Sequence, residues 1–163
     1  MPDILSSDFD EHGQQDGFRW HGTSLGLAAG SERLGASIYE LPPGQATSPY
    51  HYHLANEELL IVLRGRPHLR APAGWRELQE GEVVAFPVGE RGAHQLLNRS
   101  DEPTRFLMVS EMRDPEVVLY PDSGKVGPRE YAPGSGRGGM RVNFRSGEAV
   151  DYWDGERPPE VAG

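Results

Sequence analysis

The stretch GQATSPYHYHLANEELLIVLRG, residues 44 to 65, decides how this chain is read. It opens on Gly44 after a Pro-Pro turn and places His51 and His53 two residues apart. It then breaks at Leu-Ala-Asn and runs from Glu58 into an unbroken apolar segment ending at Gly65. Side chains at i and i+2 of a strand point to one face, so His51 and His53 can reach a single ion together. In the apolar run Leu60 and Val62 share a face with Glu58, while Leu59, Ile61 and Leu63 share the other. Apolar residues on both faces predict a strand covered on both sides, as in a sandwich or at an interface between subunits. Glu57 lies on the opposite face from Glu58, so parity separates the two carboxylates.

Outward from this stretch, the chain repeats one texture. RLGASIYEL before it and HLRAP, WREL, EVVAF, AHQLL and RFLMVS after it are short strand-like segments divided by Gly and Pro turns. With 21 Gly and 14 Pro in 163 residues, and no amphipathic helix of convincing length, the expected class is all-β, an antiparallel sandwich or small barrel. Residues 1–30 are acidic and aperiodic and read as an N-terminal arm with at most one short strand. Residues 31–112 form the expected barrel. Residues 113–163 read as a C-terminal extension, with one strand at Val117 to Tyr120, a flexible or extended connection over GPREYAPGSGRGGM, and two aromatics, Tyr152 and Trp153, expected to pack on the body or on a neighbouring subunit.

The second informative stretch is GEVVAFPVGERGAHQLLN, residues 81 to 98, which supplies His94. Neutral imidazoles and a carboxylate suit a divalent first-row transition metal: Mn, Fe, Co, Ni, Cu or Zn. A lone histidine on a strand is more often solvated or hydrogen-bonded, and His12, His21 and His68 take that reading. An HxH pair alone is also weak. The weight comes from the conjunction of HxH, a carboxylate and a third histidine on neighbouring strands.

These two stretches resemble the paired motifs of the cupin superfamily. The first, G(X)5HXH(X)3–4E(X)6G, is met by Gly44, His51, His53, Glu58 and Gly65. The second, G(X)5PXG(X)2H(X)3N, is met by Gly81, Pro87, Gly89, His94 and Asn98. Six residues rather than five separate Gly44 from His51, and four rather than two separate Gly89 from His94. Both additions fall in expected loops. The resemblance implies a small jelly-roll barrel with one metal in its mouth, held by His51, His53, Glu58 and His94. Three nitrogens and one oxygen leave coordination positions for water or substrate, and such a site can be catalytic. Gly65 and Gly81 are expected in turns, Pro87 at a strand end, and Asn98 in a structural hydrogen bond.

Composition narrows the function. A net charge of −9 argues against nucleic acid and against an anionic membrane surface. The absence of cysteine excludes disulfides, thiolate ligands and a cysteine nucleophile. No basic and apolar leader pattern opens the chain and no apolar run is long enough to span a bilayer, so the cytoplasm is the expected compartment. A metal-dependent enzyme on a small organic substrate is the expected function, with a dioxygenase favoured. A metal-assisted isomerase, epimerase or decarboxylase and a non-catalytic ligand-binding barrel are the alternatives. Tyr39, Tyr52, Arg70 and Gln95 are nameable acid–base candidates, but no catalytic residue is selected. A homodimer is expected from the doubly apolar strand.

Overall fold

The computed structural model describes residues 2–130 and 139–158. It is almost wholly β, with strands β1 (Glu11–Gln15), β2 (Phe18–Ser24), β3 (Leu34–Leu41), β4 (Tyr52–His53), β5 (Glu58–Arg64), β6 (His68–Ala71) and β7 (Gly74–Glu77). These are followed by β8 (Val83–Phe86), β9 (Gln95–Leu97), β10 (Thr104–Glu111), β11 (Glu116–Tyr120), β12 (Lys125–Arg129) and β13 (Phe144–Arg145). A four-residue helix, α1 (Leu25–Ala28), follows β2 and is the one α-helix among the described residues. No helix among the described residues is long and apolar enough to cross a membrane.

All strand pairs are antiparallel. Six strands run in the order β1-β2-β3-β10-β5-β8, four in the order β13-β12-β11-β4, and three in the order β7-β6-β9. The sheets face one another as a jelly roll and are not joined into one closed ring of hydrogen bonds. The expected all-β jelly-roll class is therefore what the chain adopts.

Period-two patterning explains how the layers meet. Leu60 and Val62 of β5, Leu41 of β3 and Phe106 of β10 point inward and meet Leu69 of β6 and Leu96 of β9. These side chains are 0–2% exposed, and each contributes about 1.5–3 kcal/mol relative to an exposed position. The other face of β5 is only partly covered, with Leu59 36% exposed. The site borders this core directly, since Phe106 also lines the cavity and Phe86 stacks on His94.

Both ends differ from the sequence reading in detail. Within residues 1–30 there are two strands rather than at most one, and the β1–β2 hairpin extends the large sheet through β3. The signal was the dipeptide Asp16-Gly17, a tight-turn pair whose glycine has φ +77°. The preceding residues are tied to the outer face of that sheet by Arg105, which donates to the carbonyls of Leu5 and Ser6 and to Ser7 Oγ and pairs with Glu40 at 2.7 Å.

At the C-terminal end, β11 pairs with both β4 and β12. Residues 127–129, the start of the connection read as flexible or extended, are extended and belong to β12, whereas 131–138 of that connection lie outside the described residues. Tyr152 and Trp153 contact each other edge to face but are 82% and 71% exposed, so neither packs on the body of this chain.

Candidate metal centre

The loop residue His51 and strand residue His53 reach the site through two different constraints. His51 forms a bridge with His94, its N–H donating to the His94 carbonyl at 3.1 Å and its carbonyl accepting from the His94 N–H at 2.9 Å. His53 is placed by β4, which pairs it with Val118 of β11. Glu58 begins β5, opposite Phe86 of β8, and its parity turns it inward with Leu60 and Val62. Glu57 is exposed, so the parity argument separates the two carboxylates correctly.

The two residues added before His94 have a visible cause. Glu90–Gly92 form a turn of 3-10 helix between β8 and His94. A Cβ at Gly92 would lie 1.8 Å from the Pro87 carbonyl oxygen, so only glycine fits that turn. His94 then stacks on Phe86 with ring centroids 3.9 Å apart. The glycines expected in turns, Gly65 and Gly81, have φ +80° and +83°.

The four side chains converge. Glu58 Oε2 lies 3.2 Å from His53 Nε2 and 3.3 Å from His94 Nε2. Ligand atoms of His51, His53 and Glu58 all lie within 4.8 Å of one another. The opposite ring nitrogens are held from behind. His51 Nδ1 is 2.9 Å from the Pro49 carbonyl oxygen and His94 Nδ1 is 3.0 Å from that of Gly92. A carbonyl only accepts, so both Nδ1 atoms carry protons and both Nε2 atoms offer lone pairs to the site. His53 follows the same plan with a carboxylate behind it, Glu116 Oε2 at 3.4 Å from Nδ1.

Glu116 is a site residue that sequence reasoning missed. It is fully buried, and its Oε1 accepts from the backbone N–H groups of Leu54 at 3.1 Å, Ala55 at 3.2 Å and Val117 at 2.7 Å. Asn56 donates to Oε2, and Asn56 Oδ1 accepts from the Arg113 N–H at 2.7 Å. The turn between β4 and β5 is thus locked to β11. The signal was the parity of Glu116 with Val118 and Tyr120, which line the site, on a strand otherwise apolar.

Electrostatics single out His53. Burial opposes its charged form, but the Glu116 and Glu58 carboxylates outweigh burial and raise its pKa to about 9. Burial together with the neighbouring imidazoles pushes His51 down to about 3, and burial lowers His94. Burial would raise Glu58, yet the surrounding histidines hold it down to about 2. The cluster therefore stores one proton on His53 between two carboxylates, with two neutral imidazoles alongside. His53 Nδ1, His53 Nε2 and Glu58 Oε2 are buried without any hydrogen bond of good geometry; the 3.2–3.4 Å approaches are electrostatic contacts only. An orphaned buried Nε2 of His53 beside an orphaned Glu58 Oε2, with the His94 Nε2 near the same oxygen, is the pattern that a divalent metal would satisfy.

The cluster opens into a cavity of about 350 Å³. Trp20, Tyr39, Phe106 and Met108 of the large sheet form one wall, and Val118, Tyr120 and Arg129 of the C-terminal strands form the other. Of the acid–base candidates read from sequence, only Tyr39 lines it. Tyr52 does not line it. Arg70 is paired with Asp122 at 2.5 Å and lies over Tyr50, and Gln95 donates to the Ser48 carbonyl. Asn98 is structural, donating to the carbonyls of Leu41 and Glu102. His12 and His21 face each other across the β1–β2 hairpin, and His68 also lies outside the cavity.

A β-sandwich with inward histidines and a carboxylate at its mouth defines a class, the double-sheet proteins with a metal-type site in the barrel end. Residues 37–110 match the Cupin_2 cupin domain model, so this chain carries a cupin domain. No curated protein matches it.

Among solved structures, it is similar to a sugar phosphate isomerase from a cupin superfamily of Silicibacter pomeroyi, with 27% identity over 85% of this chain and 83% of that one and a TM-score of 0.72. A protein of Acidithiobacillus ferrooxidans, named provisionally for the same activity, shares 24% identity over 90% and 89% of the two chains at a TM-score of 0.75. The polyketide cyclase RemF of Streptomyces resistomycificus shares 25% over 71% and 83% at a TM-score of 0.55.

Proposed function

We propose that this cupin is a metal-dependent enzyme of isomerase type, moving a proton on a small oxygen-bearing substrate, with His51, His53, Glu58 and His94 as the metal ligands. The observation that carries the reading is the gathering of His51, His53 and Glu58 ligand atoms within 4.8 Å of one another, with His94 Nε2 3.3 Å from Glu58, in a cavity lined by polar and apolar side chains. A divalent transition metal bound there would supply a Lewis acid for a substrate oxygen.

The chain's own residues supply the rest. Trp20, Phe106 and Met108 exclude water from one side of the substrate. The Tyr120 hydroxyl accepts a hydrogen bond from Arg129 Nη2 at 3.0 Å, which leaves its own proton to donate into the cavity. Tyr120 is therefore the acid–base candidate on this wall, and Tyr39 faces it from the other.

The similarity to proteins named as an isomerase and a cyclase supports proton movement over oxygen consumption as the reaction. The oxygenase reading differs in requiring iron and O2. Incubation of the metal-loaded protein with small hydroxy-aldehydes and hydroxy-ketones in deuterium oxide is expected to exchange a carbon-bound proton. Turnover that consumes O2 stoichiometrically in the iron-loaded protein, with no exchange, would replace this reading by the oxygenase. We also propose a homodimer through the outer face of β10, β5 and β8, where Leu107 and Val109 lie beside Leu59, Ile61 and Val83. One chain alone leaves Leu59 36% and Val83 56% exposed there.

A further inference from the structure

Arg129 is 9% exposed and has no carboxylate partner among the described residues. Its terminal nitrogens donate to four neutral acceptors: the carbonyls of Pro128 at 3.1 Å and Val142 at 2.6 Å, Tyr120 Oη at 3.0 Å and Asn143 Oδ1 at 2.9 Å. Neutral acceptors fix the guanidinium in place and leave its charge uncancelled. A buried charge without a counter-ion costs several kcal/mol, so the site is poised for an anion.

The same wall carries Arg141, whose backbone bridges to that of Arg129 and which has no ion-pair partner among the described residues. Among the described residues Glu58 is the only carboxylate lining this cavity, and the histidines already engage it. Buried Arg129 and exposed Arg141 thus both line one cavity, in a chain of net charge −9.

We propose that Arg129, Arg141 and the Tyr120 hydroxyl form an oxyanion subsite in the wall of the metal cavity, holding a phosphate or carboxylate group of the substrate. As a substrate subsite it rests on the reading of the cavity given above. The Tyr120 ring stacks on His51 with centroids 6.0 Å apart, and its hydroxyl touches the guanidinium. The subsite is therefore one tyrosine's length from the metal ligands, which sets the substrate as a short molecule with its reactive oxygen at one end and its anion at the other. Arginine forks suit both oxyanions by bidentate hydrogen bonding. Gly127 makes the room: a Cβ there would lie 2.8 and 2.9 Å from the two terminal nitrogens of Arg129 and 2.6 Å from Asn143 Oδ1.

The test is calorimetric titration of the chelator-stripped full chain with inorganic phosphate and, separately, with acetate at low ionic strength. Wild type binds at least one of them, and the tighter of the two tells a phosphate from a carboxylate substrate. Arg129→Gln weakens binding roughly tenfold or more, as loss of a charge-assisted contact requires, and Arg141→Gln weakens it about threefold. Arg129 also clips residues 142–143 to β12, so Arg129→Gln is paired with Gly127→Ala, which displaces the guanidinium without changing net charge and weakens binding as well. Binding unchanged in Arg141→Gln and Gly127→Ala, or no binding of either anion by wild type, overturns the subsite. Metal content measured on the same preparations separates the two readings. Metal without anion binding removes the subsite alone. Anion binding that survives in His94→Ala, in a protein that takes up no metal under any loading, keeps the subsite and removes the metal-enzyme reading.

Discussion

Replacing Glu116 by Gln tests whether the proton on His53 is managed from behind. The substitution is nearly isosteric, and the carbonyl oxygen of the new amide can keep the three bonds from Leu54, Ala55 and Val117 that Oε1 now accepts. The amide nitrogen must then take the place of Oε2, where it meets the Asn56 side-chain N–H group and His53 Nδ1. Donor faces donor at Asn56, and at His53 the new donor favours a bare Nδ1 with the proton on Nε2. That is the nitrogen 3.2 Å from Glu58 that the metal needs. Loss of such a carboxylate behind a ligating histidine costs about 10–100-fold in metal affinity, or roughly 1.4–2.7 kcal/mol. Competition with a chromogenic chelator near neutral pH measures it, with the thermal midpoint of the stripped protein recorded alongside to confirm folding. A folded Glu116→Gln protein whose metal affinity lies within twofold of wild type refutes the assignment of Nδ1–H and of Glu116 as the group that orients His53.

The remaining predictions concern ligands, pH and assembly. His51→Ala and His94→Ala are expected to lose most bound metal, whereas His68→Ala keeps it; elemental analysis showing equal metal in all three sinks the ligand set. Glu58→Gln should cost far more metal than Glu57→Gln, and the reverse order would place the carboxylate on the wrong residue. In the stripped protein, the raised pKa of His53 contributes stability that is complete below its unfolded value of 6.5 and is lost as pH climbs through about 9. The lowered pKa of Glu58 contributes stability present above 4.5 and lost as pH falls toward about 2. Metal must displace the His53 proton, so the gap in thermal midpoint between loaded and stripped protein should widen between pH 6.5 and 9; a constant gap contradicts the stored proton. Val83→Lys, placed on the exposed part of the β8 face, is expected to convert a dimer to a monomer by light scattering, and a monomeric wild type would dismiss the interface.

The ligand-bearing half of the site was legible because metal chemistry and strand parity constrain it locally. His51, His53 and Glu58 are separated by few residues, and the alternation that buries Leu60 and Val62 also fixes which carboxylate turns inward. The two residues added before His94 cost nothing in register, since the turn at Glu90–Gly92 absorbs them. Asn98 was legible for the same reason. Tyr52, Arg70 and Gln95 were chosen by chemistry without position, and three-dimensional neighbours claimed them: Asp122 holds Arg70 and the Ser48 carbonyl holds Gln95.

What sequence could not place is the far wall of the cavity. Glu116, Tyr120 and Arg129 lie more than fifty residues beyond His53, and their relation to it is made by pairing of β11 with β4 and of β11 with β12. Pairing between distant strands carries no local spacing rule, and the Gly- and Pro-rich composition around Arg129 points away from a strand. Yet this wall does three things that the motif residues cannot do for themselves. Glu116 holds a proton on His53 Nδ1, so that Nε2 is the nitrogen that gives up its proton to a metal, Tyr120 stacks on His51, and Arg129 brings a buried positive charge to an otherwise acidic chain. The ligand set is common to many chemistries, so the choice among them falls to groups of this second kind. A variant that kept all four ligands but lost β11 and β12 should therefore lose metal through His53, as well as any grip on an anionic substrate.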